Sequence, residues 1–462
     1  MATPDSPHGG PAPGFGTGTR RDFAHLLDEA PWSTYQKLML ALLAMVFAVD
    51  GLANQSLGIA VPSLIEDWGV PADAFSLVTA ANLTGVALGS IVGGLLGDKI
   101  GRRSALICAV LVFGVMTAAG ALASSPGTLT GIRFIDGLGI GAAIPNGAAL
   151  IAEITPRNKR GSAIAIGMVF IPFGGILAGA IGATVLEAFG WKAVMLLAGA
   201  LPILLALLFV FALPESPSFL LRSGRSDALE RLLTRCGIAF TPGEQFAEDQ
   251  SERGLTAPLR VLLADGVRRN TFLMWTGFFT CLMASYTIFS WVPTMLRTLD
   301  FSLTMTSLGI TTFHVGGMVG ALFSGWLIDK RGFRQSHLGL ALVATVLAST
   351  LSIMLGADLL AAVLILPIMM TLGFCMAGLH NTLYTLAATS YPTSARATGV
   401  GVASAVGRIG AVLSSFTGVQ SLNMGGSFGF FGVIAVLTLI CGISGWMVHA
   451  SYARPQRESA LA

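Results

Sequence analysis

Apolar residues recur along this chain in twelve runs of 20 or more, with short polar stretches between them. They lie at about 36–64, 75–97, 104–124, 128–151, 162–186 and 191–213, and then at about 270–293, 304–328, 337–356, 359–385, 397–421 and 428–450. At ~1.5 Å per residue, each run is long enough to carry a helix across roughly 30 Å of hydrocarbon. Helix is the open-ended backbone that satisfies its own hydrogen bonds there. The pattern therefore predicts an all-α membrane protein with twelve transmembrane helices in two six-helix halves. The expected divisions are a tail over 1–34, a first half over 35–213, a linker loop over 214–269, a second half over 270–450 and a tail over 451–462.

Composition narrows the function class. The chain is 53% hydrophobic and 11% charged, with a mean hydropathy of +0.75, whereas a soluble domain carries about 25% charged residues. Together with 57 glycines, these values exclude a soluble enzyme, a nucleic-acid binder and a disordered chain. The five cysteines lie far apart with no CxxC spacing, which suggests neither a disulfide framework nor a metal site. Residues 1–34 have no apolar h-region or small-residue cleavage site, so they read as a polar tail and not as a signal peptide.

Charge placement sets the expected orientation. With the N-terminus inside, all but four of the 27 Lys and Arg residues fall in cytoplasmic segments. Lys192 and Arg297 lie outside, and Arg133 and Arg408 lie within spans. This positive-inside bias predicts that both termini are cytoplasmic. The linker loop carries eight arginines, and its stretch SDALERLLTR (226–235) has helical spacing. A solvated amphipathic linker helix is the expected reading, with a regulatory or partner-binding role as the alternative.

The chain also repeats itself. GGLLGDKIGRR (93–103) follows span 2, and SGWLIDKRGFR (324–334) follows span 8. Gly94, Asp98, Lys99, Gly101 and Arg103 match Gly325, Asp329, Lys330, Gly332 and Arg334. A second echo is P-x-x-x-R, at Pro156–Arg160 and Pro392–Arg396. Duplicated halves imply a cavity between them that opens to each side in turn. Gly94 and Gly101 are expected to let helix ends approach. Asp98 is expected to accept from a neighbouring helix N-terminus and to pair with Arg102 or Arg103. A positive-inside anchor with one stray acid is the plainer alternative.

GDKIGRR between spans 2 and 3, partly repeated between spans 8 and 9, resembles the major facilitator superfamily. Further stretches are similar to its aromatic acid:proton symporters: VDGLANQSLGIAVPSL in span 1, RFIDGLGIGAAIPN with AEITPRNKRG in span 4, PESPSFL after span 6, SWVPTML ending span 7 and YPTSARATGVGVASAVGRIG entering span 11. That family's span 1 usually carries Asp-Gly-x-Asp. Here the first acid is Asp50 and the second position is Ala53, while Asp136 stands where the family is typically small or uncharged.

Each ionisable group in mid-membrane costs at least ~2.5–3.5 kcal/mol and needs a partner or a purpose. Asp50 lies near the middle of span 1, with Asn54 one turn later on the same face and Gln55 beside it. It is the candidate proton site, the alternative being a neutral aspartic acid that locks two helices. In sugar-transporting relatives a span-1 Asp and a span-4 Arg form the proton-sensitive pair, and the resemblance implies the same for Asp50 and Arg133. Asp136 competes for Arg133 at i,i+3 on one helix face, and the two acids are candidates to share it. Arg408, midway through span 11 between Gly407 and Gly410, is the candidate carboxylate clamp, since a forked guanidinium suits a carboxylate. It also matches the family arginine implicated in substrate handling.

His314, His380, Asn381, Tyr384 and Tyr286 are further substrate-binding candidates with Asn54, though helix packing or an interfacial belt would also account for them. The gating candidates are Asp98, Arg102, Arg103, Glu153, Asp329 and Arg396, with Glu153 able to meet Arg157 or the Arg102/Arg103 cluster. The GLGIG stretch is no nucleotide loop, because no strand precedes it and no Walker lysine follows. No cofactor is expected, and the driving force is taken to be a proton gradient.

The leading expectation is a proton-coupled symporter that takes up a small organic anion, such as a hydroxybenzoate, across a bacterial inner membrane. Its partners would be substrate, protons and lipid, with no nucleic acid, and the protein is expected to be monomeric. The alternatives are a proton-driven exporter, a symporter of a sugar or aliphatic acid, and a non-transporting receptor. Against export, Ile171 stands where antiporters of the superfamily place a glycine before Pro172.

Overall fold

The computed structural model describes residues 21–22, 26–28, 30–238, 246–247, 259–264, 267–357, 362–391 and 395–448. Most of the N-terminal tail, the C-terminal tail and Pro392 of the second P-x-x-x-R echo lie outside the described residues. Span 1 is Thr34–Trp68. It starts where Ser33 and Gln36 form a reciprocal capping box and stops at Gly69, whose φ is 64°. That left-handed residue ends a helix because its backbone suits glycine. Span 2 is Ser76–Ile100, span 3 Arg102–Ala119 and span 4 Pro126–Ile154. Spans 7 to 10 are Arg268–Arg297, Leu303–Arg331, Phe333–Gly356 and Ala362–Ser390.

The remaining spans come in pairs with almost no loop. Arg157–Ala212 has 56 residues and Arg396–Met447 has 52, the first being about 84 Å of helix if straight, far more than a bilayer needs. Each turns at one glycine with positive φ, Gly190 at 76° and Gly426 at 55°. Among the described residues, ten long helices thus hold the twelve expected spans. The short loop read between spans 5 and 6 is a single residue.

The sequence repeat returns as a packing repeat. Spans 1 and 5 touch backbone to backbone, since a Cβ on Gly174 would strike Ala48 O and one on Gly51 would strike Ile171 O. Spans 7 and 11 meet in the same way at Gly410 and Phe279 O. Spans 2 and 4, with 8 and 10, form the second equivalent pair, and 3 and 6, with 9 and 12, form the third. Small residues permit such contact where burial alone gives helices in lipid no reason to associate. Across the halves, span 5 packs on span 8, span 2 on span 11 and span 1 on span 7.

The repeated loops also act alike. Arg103 Nη2 donates to Val210 O at the end of span 6 (2.6 Å), and Arg334 Nε donates to Trp446 O at the end of span 12 (3.0 Å). Each arginine thereby caps the carbonyl end of its own half's last helix. Gly94 is a correction, because a side chain there would meet open space, and so would one on Gly325. The packing falls to Gly93 against Ala142, one residue off the shared motif. Gly101 serves the turn, with φ 96°, and also permits close approach, since a side chain there would strike Glu215.

The linker forms helices at Pro217–Arg222 and Ser226–Cys236. Leu229, Leu232 and Leu233 are buried together with Leu220 and with Leu26 and Leu27 of the tail. Arg225, Arg231 and Arg235 stay exposed, as the amphipathic spacing predicts.

Candidate functional site

Span 1 brings Asp50 to the middle of its length, and the residue is 2% exposed. Asn54, one turn on, donates from Nδ2 to Asp50 Oδ1 at 2.9 Å. No basic side chain forms an ion pair with Asp50 among the described residues.

The expected Asp50–Arg133 pair is not formed. Arg133 Nη1 pairs with Asp136 Oδ2 at 2.8 Å, and both side chains are closed off from solvent. The reason is local. A carboxylate at i+3 lies on the same helix face, and its other oxygen is held by Thr117 of span 3 at 2.9 Å, with Asn82 of span 2 at 3.3 Å from the paired one. The guanidinium also reaches Ser56 Oγ and Ala53 O of span 1, at 3.4 Å each, and Met195 of span 6. Five spans therefore converge on one buried ion pair. Asp136 remains within electrostatic reach of Asp50.

Tyr286 of span 7, Tyr384 of span 10 and Arg408 of span 11 come from the second half. Tyr286 lies within electrostatic reach of Asp50, Arg408 and Tyr384 at once. Arg408 is half-buried, donates to Ser90 Oγ of span 2 and has no carboxylate partner among the described residues. Tyr384 hydroxyl is 3.1 Å from Ser404 Oγ, and its ring stands 5.0 Å from both Phe278 and His380. His380 Nε2 is buried without a hydrogen-bond partner among the described residues. Phe289 adds another ring, 5.5 Å from Tyr286. The arrangement can hold a planar anion: a guanidinium at one end, ring faces and edges beside it, and hydroxyl and imidazole groups to meet polar substituents.

Two candidates take other partners. Asn381 donates to Ala321 O and Ser324 Oγ, both at 3.0 Å, so it joins spans 8 and 10 and does not reach this cluster. His314 is buried between the halves, 3.2 Å from Gln55 Oε1 and stacked on Phe289.

The two ends of the bundle differ. Away from the basic loops, Glu66 of span 1 and Arg297 of span 7 form a cross-half ion pair at 2.9 Å. At the basic end, Arg102 bridges Asp98 (3.3 Å) and Glu153 (2.5 Å) within the first half, and Ser216 also bonds Glu153. Asp98 is 52% exposed, and Asp329 and Arg396 are exposed too. Among the described residues, Asp98 caps no helix. That task belongs to Glu215, whose Oε1 accepts from Arg103 N at 2.9 Å, placing a carboxylate at the positive end of span 3. Glu215→Ala is expected to cost about 1 kcal/mol, as for a lost helix cap, read as a small drop in the melting temperature of the purified protein with transport retained.

Sequence reasoning missed Ser90, Ser404, Thr117, Asn82 and Glu215. Single hydroxyl or amide residues within apolar runs carry no periodic signal. Glu215 stood in a quoted motif, yet nothing in its spacing pointed to the loop 112 residues earlier.

A family model described as Major Facilitator Superfamily matches residues 43–415. The chain is 33% identical over 405 residues to a gallate transporter of Pseudomonas putida, covering 87% of this chain and 89% of that one. It is 31% identical over 413 residues to the 4-hydroxybenzoate transporter PcaK of Pseudomonas aeruginosa, covering 88% and 91%. In fold it is similar to the inward-open xylose transporter XylE from E. coli, with a TM-score of 0.71 at 16% identity over 89% of this chain and 96% of that one.

Proposed function

The chain belongs to the major facilitator superfamily and is a transporter, not an enzyme, and from that premise we propose that it imports a small aromatic carboxylate together with a proton by alternating access. The observation that carries this reading is Arg408, a mid-membrane guanidinium bonded to Ser90 and lacking a carboxylate partner among the described residues. A cation held at mid-membrane without a counter-ion is costly even when half-buried, and a substrate carboxylate would supply one. The rings of Tyr286, Tyr384 and Phe289 favour an aromatic body, as do relatives named for gallate and 4-hydroxybenzoate.

In this scheme Asp50 takes the proton while Asn54 holds it in place. Carrying a proton with the anion neutralises the load as it crosses the membrane field. The Arg133–Asp136 pair acts as a fixed mount for spans 1 to 4 and 6 and influences Asp50 by its field. The basic end faces the cytoplasm of a bacterial inner membrane. There Asp98, Arg102, Arg103, Glu153, Asp329 and Arg396 form the gate. The protein works as a monomer and needs no cofactor beyond the proton gradient.

Radiolabelled 4-hydroxybenzoate presented to proteoliposomes under an inward proton gradient tests the reading. Gradient-dependent accumulation is the expected result, whereas expulsion would indicate an exporter and bound label without accumulation a receptor. Arg408→Lys replaces a forked donor by a single point charge. It is expected to raise KM for the acid about tenfold, equivalent to ~1.4 kcal/mol, and an unchanged KM would remove the carboxylate from Arg408.

A further inference from the structure

Span 7 carries Pro293 inside its helix. Proline has no N–H, so the carbonyl four residues earlier, that of Phe289, is left without its helical donor. Gln55 of span 1 supplies the missing bond from the other half of the molecule, its Nε2 donating to Phe289 O at 3.0 Å. The same side chain presents Oε1 to His314 Nε2 of span 8 at 3.2 Å. One glutamine of the first half therefore holds two helices of the second.

The surroundings leave this bond little room to exchange for water. Gln55 is 4% exposed and His314 8%. Phe289 lies flat on the His314 ring, with centroids 5.1 Å apart and planes 20° from parallel. At Gly58, just under one turn beyond Gln55, an added Cβ would stand 2.8 Å from the same Phe289 carbonyl. The Glu66–Arg297 ion pair closes the tier beyond.

We propose that Gln55 is the gating residue that keeps the central cavity shut at the end away from the basic loops, with the carbonyl freed by Pro293 as its seat. Both of its bonds must break before that end opens, and each leaves a polar group in a dry interface. The lock also sits beside the site proposed for the proton, because Asn54, the partner of Asp50, is the residue before Gln55. Gain or loss of a proton at Asp50 changes what Asn54 must donate to, on the turn of span 1 that carries the lock. This link rests on the proton-symport reading, whereas the lock itself does not.

The test uses the full chain in lipid nanodiscs, with Cys108 replaced by Ser and spin labels on Asp73→Cys and Thr298→Cys, exposed positions in opposite halves at the locked end. Distances are read by double electron–electron resonance without substrate or gradient. The starting protein is expected to give one dominant short distance. Gln55→Leu is expected to raise the share of a longer-distance population about 25-fold, the change set by two lost hydrogen bonds of about 1 kcal/mol each. Pro293→Ala restores an N–H that competes for Phe289 O and leaves Gln55 and His314 untouched. It is expected to shift the same populations in the same direction by a smaller factor. Unchanged distributions in both variants would overturn the proposal, and a shift in Gln55→Leu alone would overturn the seat assigned to Phe289. If Gln55→Leu does not fold, Pro293→Ala decides. Since no substrate is needed, failure of the aromatic-acid reading and failure of the lock are told apart.

Discussion

Asp50→Asn is expected to abolish concentrative uptake of 4-hydroxybenzoate while leaving exchange of label between equal substrate pools intact. The amide keeps the size of the carboxyl and its bond to Asn54, which places Nδ2 2.9 Å from Oδ1 in the native protein, so the span 1 to span 5 contact at Gly51 is undisturbed. What the variant loses is the ability to carry hydrogen ions. With one proton per cycle and a one-unit pH gradient, the native protein should accumulate substrate about tenfold, since one pH unit is worth ~1.36 kcal/mol. The variant should stop at equal concentrations. Retained tenfold accumulation would remove Asp50 from the coupling role.

Asp136→Ala is expected to act on folding and not on coupling. The change leaves Arg133, 0% exposed, without its counter-ion in a site lined by Met195, Ser56 and the Ala53 carbonyl. Breaking a buried pair by removing one partner costs about 3–5 kcal/mol, enough to empty the folded state of a marginal protein. The expected readout is loss of monodisperse protein on extraction, or a large fall in melting temperature. Asp136→Asn keeps one oxygen for Arg133, can turn its amide N–H to the Thr117 hydroxyl, and should lie between native and Ala. A well-folded Asp136→Ala that has lost only proton dependence would instead show that Asp50 and Asp136 share the arginine during the cycle.

The sequence made the span count legible because twenty-residue apolar runs leave a membrane chain few alternatives, and the duplication was legible because Asp98 and Asp329 stand in matching loops. The hairpin at Gly190 was hidden, since one left-handed glycine looks like any of the other 56. Within the site, Asp50, Tyr286, Tyr384, His380 and Arg408 announced themselves as polar groups in apolar runs, and of these His380 and Tyr384 stand ring to ring. Which partners they take was not legible. Arg133 had a nearby acid on its own helix and a distant one on another, and the choice was made by Thr117 and Asn82, which become neighbours only after spans 2, 3 and 4 pack. Gln55 was likewise passed over as the neighbour of Asn54, because its partner, a carbonyl freed by Pro293, is a feature of the backbone.

The most direct test of the account is to load proteoliposomes with a pH-sensitive dye, impose no gradient, and add 4-hydroxybenzoate outside. Native protein should acidify the lumen as substrate runs down its concentration gradient, while Asp50→Asn admits the acid with no change in dye signal. Substrate entry without acidification in the native protein, or acidification that persists in the variant, would contradict the claim that one buried carboxylate couples proton to cargo.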